Sequence, residues 1–141
     1  MHTGTWRCGR LIDHLQLVVS DIEASRRFYG AVFAALGIRI GEEGANFFYA
    51  DELYVSGVTA DSPPTGRIHL AFQTPDQATV DRFYAAALSA GGRDNGPPGP
   101  RDYHPGYYAA FVLDPDGNNI EAVFHGATTR SADAVVITAV D

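Results

Sequence analysis

Two histidines and one glutamate, His14, His69 and Glu121, stand out as a set able to hold a divalent cation. Two neutral imidazoles and a carboxylate that leave coordination positions open form the facial arrangement that binds Fe(II), and it serves Mn(II), Zn(II), Ni(II) or Co(II) as well. An ion held this way acts as a Lewis acid on substrate oxygens and stabilises an enolate, phenolate or oxyanion. A single histidine on a strand is more often a hydrogen-bonded structural residue than a ligand. Here two occupy the same position of an internal repeat, although a structural histidine copied by duplication would look the same. The carboxylate adds a separate argument, because burying an ionised carboxylate inside a sheet costs roughly several kcal/mol unless a cation or donors compensate.

The repeat itself positions these residues. Offsetting the sequence by 55 positions aligns His14-Leu15 with His69-Leu70, Asp21 with Asp76, Arg27-Phe28-Tyr29 with Arg82-Phe83-Tyr84, Ala31 with Ala86, Ala35 with Ala90 and Gly37 with Gly92. Nine identities in one ungapped stretch of 24 positions exceed what composition alone supplies. Each copy opens on a strand pattern, Leu11 to Val19 and Ile68 to Gln73, followed by a helix. Ser20 with Glu23, and Thr74 with Pro75 and Gln77, read as helix starts, and Gly37 and Gly91-Gly92 as stops. The stripes Ser25, Phe28, Tyr29, Val32, Phe33 and Val80, Phe83, Tyr84, Ala87, Leu88 have helical spacing and predict the faces that pack on a sheet.

In the second copy, Gly92 to Pro105 reads as a Gly- and Pro-rich loop with at most one short strand, able to line a pocket. Tyr107 to Leu113 and Asn119 to Phe124 then flank the turn Asp114-Pro115-Asp116-Gly117 as an antiparallel pair. In the first copy, Asn46 to Ala50 and Leu53 to Val58 flank a turn at Asp51-Glu52. Each copy is thus a βαβββ unit, and the chain is α+β. Strand alternation puts His14, Gln16 and Val18 on one face of the first strand and His69, Ala71 and Gln73 on the matching face of its counterpart. Glu121 faces the same cavity, with Ile120 and Ala122 turned toward the helices.

Candidates for proton transfer or substrate hydrogen bonding are His104, Tyr107 and Tyr108, at the expected cavity mouth. The two tyrosines point to opposite faces, and a one-residue change in register exchanges them. His104, before Pro105, is equally placed to be a surface loop residue. His125 lies on the face of Glu121 but roughly 13 Å along the strand, too far to share its metal, and reads as a solvated strand end.

An initial Asp-His-Leu, a helix reading Ser-Asp-x-x-x-Ser-x-x-Phe-Tyr, a second Ile-His-Leu and a closing Asp-Pro-Asp-Gly-Asn-x-Ile-Glu resemble the vicinal oxygen chelate superfamily of glyoxalases, bleomycin-resistance proteins and extradiol dioxygenases. The resemblance spans Leu11 to His125. It implies two βαβββ modules, 11–60 and 67–125, forming an incomplete barrel around a central cavity, with one divalent metal ion as cofactor and an assembly that is often a homodimer. Carried over residue by residue, the family's metal positions fall on His14, His69 and Glu121. Glyoxalase I enzymes take a fourth ligand from the last strand of the first module, which here reads Glu52-Leu53-Tyr54-Val55-Ser56 and places no histidine or inward carboxylate there. The resemblance therefore implies a three-ligand dioxygenase or transferase acting on a small substrate with vicinal oxygens. The competing class is a metal-free protein that sequesters a planar or cationic antibiotic on Tyr103, Tyr107, Tyr108, Phe47 and Phe48, as bleomycin-resistance members do.

Length and composition set the remaining bounds. With 141 residues, 45% hydrophobic and 19% charged, the chain suits one domain over residues 11–125. Residues 1–10 read as an N-terminal extension carrying Trp6, and residues 126–141 as a tail in which Ala134 to Val140 has the character of an edge strand. A net charge of −7 and a pI near 5.0, without a basic cluster, argue against nucleic acid as a partner. Cys8 is the single cysteine, which excludes an intrachain disulfide and fits a cytoplasmic setting. Apolar runs fall far short of the roughly 20 residues needed to cross a bilayer, so no membrane partner is expected.

Overall fold

A computed structural model describes residues 12–131; the N-terminal extension expected over residues 1–10 and the edge strand expected over Ala134 to Val140 lie outside the described residues. The element order is β1 (Leu15–Val19), α1 (Ile22–Leu36), β2 (Glu42–Gly44), β3 (Phe47–Ala50), β4 (Leu53–Gly57), β5 (His69–Gln73), α2 (Gln77–Ser89), β6 (Arg93–Pro100), β7 (Tyr108–Leu113) and β8 (Asn119–Phe124). Both repeat copies are therefore βαβββ. They form two separate four-stranded mixed sheets, ordered β1-β4-β3-β2 and β5-β8-β7-β6, which do not close into one barrel. In each, the first strand runs parallel to the last, and the other pairings are antiparallel.

The helices form because their apolar residues recur on one face and their first amides find acceptors. Ser25, Phe28, Tyr29, Val32 and Phe33 of α1 are all buried, as their spacing predicts. In α2 the buried face is Thr79, Val80, Phe83 and Ala87, while Leu88 stays exposed. The caps differ from the expected Ser20 and Thr74. Asp21 accepts from the amides of Glu23 and Ala24, and Asp76 from the amide and hydroxyl of Thr79. These bonds hold the Asp76 carboxyl below its usual range. A carboxylate suits the task better than a hydroxyl, since it is acceptor-only and complements the positive end of the helix.

The repeat's shared glycine serves two ends. Gly37 terminates α1 in the left-handed region at φ 73°. After α2 that conformation falls to Gly91 at φ 98°, and Gly92 instead allows close approach: a Cβ there would stand 2.7 Å from both the Ala87 carbonyl oxygen and a ring carbon of Phe28.

One core joins the modules, built from Leu17, Val19, Phe28, Tyr29, Val32 and Phe33 of the first and Val80, Phe83, Val112 and Ile120 of the second, among others. The helices pack on each other. A buried polar link reinforces the junction. The Tyr29 hydroxyl donates to Asp114 Oδ2 at 2.5 Å, while Asp114 Oδ1 receives the amides of Asp116 and Asn118. Asn118 in turn donates its side-chain amide to Asp114 and accepts from the Ile68 amide at the entry to β5. The Asp-Pro-Asp-Gly-Asn turn is thus the clamp that fixes α1, the β7–β8 hairpin and the start of β5 relative to one another.

Two strands depart from expectation. The first begins at Leu15, leaving His14 just ahead of it. The Gly- and Pro-rich stretch, read as a loop with at most a short strand, is the eight-residue strand β6. It pairs with β7 through register shifts at Gly96 and Gly99 and lies at the sheet edge, where Pro97, Pro98 and Pro100 withhold no hydrogen bond that a neighbour needs.

Candidate functional site

The second sheet assembles a polar cluster from three adjacent strands. Parallel pairing sets His69 of β5 beside Asn119 of β8, and Glu121 beside Ala71 and, across the other edge, Phe111 of β7. Ala71 is small, so the His69 ring reaches diagonally to Glu121, its Nε2 standing 2.8 Å from Oε1. Tyr107, immediately before β7, donates its hydroxyl to Oε2 of the same carboxylate. On the far side of the imidazole, Asn119 Nδ2 meets His69 Nδ1 at 2.7 Å, and Asn95 Nδ2 donates to Asn119 Oδ1 at 3.0 Å. The Phe111 ring stands edge-on to His69, and the Arg101 guanidinium lies 5.4 Å from the centroid of the same ring.

Burial divides this cluster unequally. The Glu121 side chain is 4% exposed and that of His69 50%, so a carboxylate withdrawn from water is approached by an imidazole open to it. Burial, then the hydrogen bond and charge of Glu121, push the Tyr107 phenol well above its ordinary range. Tyr107 therefore stays a neutral donor. Tyr108 points the opposite way and donates to Asp81 on α2 at 2.7 Å, which raises its phenol too. The register question between the two tyrosines is answered by these partners: Tyr107 shares the carboxylate and Tyr108 serves the sheet–helix packing.

Beside Tyr107 lies a pair of histidines. His104 Nδ1 is 2.9 Å from the Pro105 carbonyl oxygen, so it carries the proton, and its Nε2 accepts from His125 Nδ1 at 2.8 Å. The two ring centroids lie 5.1 Å apart with planes 19° from parallel, joined edge to edge by that hydrogen bond, and Tyr107 stands edge-on to each. Burial and then the neighbouring His104 lower the pKa of His125, against the opposing pull of Glu121. Read from sequence as a solvated strand end, His125 is instead half-buried in an aromatic cluster; strand spacing from Glu121 showed its face but not the loop that folds over it. An open cavity of about 530 Å³ adjoins, lined by Gln77, Arg101, Asp102, His104, Tyr107 and Tyr108 among others.

His14 stands elsewhere. It precedes β1 on the first sheet, its side chain is 70% exposed and its Nδ1 is 2.7 Å from Asp13. Among the described residues of one chain, no three His, Cys, Asp or Glu side chains gather as a metal-holding group. The chain thus brings together His69 and Glu121 but not His14. On the first sheet's corresponding face Phe47, Tyr54 and Tyr49 form a stacked ladder with interplanar angles of 8° and 17°.

The pair His69–Glu121 suits a divalent cation. Two cis ligands on an ion with bonds near 2.1 Å stand about 3 Å apart, close to the separation already present. A cation would also neutralise a carboxylate that burial otherwise leaves with one imidazole and one phenol as compensation.

A sequence model of the Glyoxalase/Bleomycin resistance protein/Dioxygenase superfamily matches residues 11–122. A curated relative, the uncharacterized protein YqjT of Bacillus subtilis (strain 168), is 32% identical over 126 residues, covering 78% of this chain and 95% of the relative. Among solved structures, a glyoxalase/bleomycin resistance protein from Albidiferax ferrireducens T118 superposes with a TM-score of 0.67 at 31% identity, covering 80% of this chain and 98% of its own. A lactoylglutathione lyase from Agrobacterium tumefaciens shares the fold alone, with a TM-score of 0.58, 19% identity and coverage of 82% and 93%.

Proposed function

Since the chain belongs to the glyoxalase/bleomycin resistance protein/dioxygenase superfamily, we propose that it is a divalent-metal-dependent enzyme acting on a small substrate with two neighbouring oxygens. The observation that carries this reading is the convergence of the half-exposed His69 imidazole and the buried Glu121 carboxylate at 2.8 Å on one sheet face. Two of three ligands thus come from one module. The third, His14, is supplied by a second copy, whose first sheet meets this second sheet in a homodimer; the repeat places both histidines at the head of equivalent strands, each with its side chain open to solvent.

When bound, Fe(II), Mn(II), Zn(II), Ni(II) or Co(II) supplies Lewis acidity toward the substrate oxygens. The protein's own groups do the rest. Tyr107, held neutral, fixes Glu121 and offers a hydroxyl beside the reacting oxygens. His104 and His125, hydrogen-bonded to each other, stand behind it as the groups able to accept or return a proton. On β4, Leu53 and Val55 enter the core while the opposite face offers Tyr54 and Ser56, neither a carboxylate nor an imidazole. A three-ligand site of the dioxygenase or transferase kind fits better than that of glyoxalase I.

The alternative, a metal-free protein binding a planar antibiotic, draws on the stacked Phe47–Tyr54–Tyr49 ladder. Elemental analysis of protein purified without chelator, followed by titration with each ion, separates the two. The enzyme reading expects one ion per site, lost in His14→Ala and in His69→Ala and regained in about a quarter of the sites when those two variants are mixed in equal amounts, since about half of the reassorted dimers pair one variant with the other and one of the two sites in each then has its full ligand set. No uptake by the wild-type protein removes the metal reading and leaves the antibiotic binder.

A further inference from the structure

We propose that Asn119, backed by Asn95, is the positioning residue that sets the tautomer of His69 and thereby its readiness to take a metal ion; the proposal rests on the metal reading above. His69 sits between two hydrogen-bonding partners. Its Nε2 is 2.8 Å from Glu121 Oε1, and its Nδ1 is 2.7 Å from the side-chain amide of Asn119. Asn119 Oδ1 is occupied by Asn95 Nδ2 at 3.0 Å, which leaves the Asn119 NH₂ group to face the ring. An amide NH₂ only donates, so Nδ1 must be the acceptor and Nε2 must carry the proton, donated to Glu121.

This polarity is opposed to ligation. A metal takes the Nε2 lone pair of a neutral imidazole, and the proton must then reside on Nδ1, where it needs an acceptor. The group within reach is the Asn119 amide. Turning over, it presents Oδ1 to Nδ1–H and its NH₂ to Asn95, whose exposed side chain can turn in the same way and present its own oxygen. The row Asn95–Asn119–His69–Glu121 therefore has two self-consistent polarities. One holds the His69 proton against the carboxylate; the other directs the Nε2 lone pair at the space between imidazole and carboxylate. An asparagine can support both, whereas an aspartate can only accept and an aliphatic residue does neither. Asn119 occupies the unspecified position of the closing motif Asp-Pro-Asp-Gly-Asn-x-Ile-Glu, so the device belongs to this chain's own sequence.

The test uses Asn119→Leu and Asn119→Asp in the full chain, with two readouts. The first is the dissociation constant for Zn(II) or Mn(II), measured by competition with a chelating dye. Asn119→Leu is expected to weaken binding about 10- to 100-fold, the usual cost of removing a ligand's outer partner, and Asn119→Asp to keep or improve on wild-type affinity. The second needs no metal: ¹⁵N imidazole shifts of metal-free protein should show protonated Nε2 and bare Nδ1 for wild-type His69, and a protonated Nδ1 in Asn119→Asp, whose carboxylate can only accept. Equal affinities in all three proteins, with thermal stability alone altered in the variants, overturn the proposal in favour of a purely structural asparagine. Wild-type His69 carrying its proton on Nδ1 overturns it as well. Should the wild type bind no metal at all, the metal reading fails by itself, and the ¹⁵N pattern still decides whether Asn119 sets the tautomer.

Discussion

Removing the Tyr29 hydroxyl tests the clamp between the modules. The Tyr29 ring is fully buried and Asp114 is 1% exposed, so water cannot replace the bond between them. In Tyr29→Phe, Asp114 Oδ2 keeps the Asn118 amide at 3.0 Å, and Oδ1 keeps both backbone donors. The loss is thus one hydrogen bond to a charged acceptor rather than a stripped carboxylate, and costs about 2 kcal/mol. For a domain of this size that lowers Tm by about 6 °C. Urea unfolding followed by circular dichroism should show a lower midpoint with an unchanged slope, since little surface changes hands. A second signature is pH. Burial first, then the charge of Asp114, raise the Tyr29 phenol well above its ordinary value. A group whose folded pKa is raised contributes stability below its unfolded pKa and loses it as pH climbs. Wild-type stability should therefore fall above about pH 10, where the unfolded phenol ionises, and the fall should be shallower in Tyr29→Phe. An unchanged midpoint and an unchanged alkaline slope would refute the claim that this bond holds the junction.

Three further outcomes follow from the packing. Ser25→Ala should stabilise by about 1 kcal/mol, because the Ser25 hydroxyl is buried with no hydrogen-bond partner among the described residues, and calorimetry reads the gain. Gly92→Ala should destabilise by about 1–3 kcal/mol, since its Cβ would press on the Ala87 carbonyl and Phe28; a neutral result in the same assay would show that the β6 entry yields. His125 has a lowered folded pKa, so the unfolded chain binds the extra proton first, and stability should drop as pH falls below about 6.5. His125→Gln should flatten that part of a Tm-against-pH curve.

Much of this was legible because duplication and burial leave periodic marks. The 55-residue offset announced two equivalent units, and the Ser25-to-Phe33 stripe named each buried residue of α1. Alternation correctly turned Leu70 and Phe72 toward the core and left Ala71 and Gln73 exposed beside His69. What escaped depends on the third dimension. β6 hides in a Pro- and Gly-rich segment, because an edge strand needs few donors and Gly96, at its register shifts, takes a φ of 145°. Asp114 reads as a turn former and Asn118 only as part of the closing motif, yet they bond across to Tyr29 and Ile68, 85 and 50 residues away. At the site, spacing gave Glu121 its face and His69 its neighbour. It carried no sign of the Asn119–Asn95 amides behind the imidazole, nor of His104 bending back onto His125.

The prolines of β6 restrict how copies of this chain can meet. A flank that offers few free N–H groups makes a poor template for an incoming strand, and the opposite sheet ends in a β2 of three residues, too short to seed one. The β6 and β2 edges are thereby poor places for ladder-by-ladder growth into filaments. In the homodimer proposed above, the copies would then meet through the surfaces that carry His14 on one sheet and His69 on the other, with the β2 and β6 edges left out of the contact.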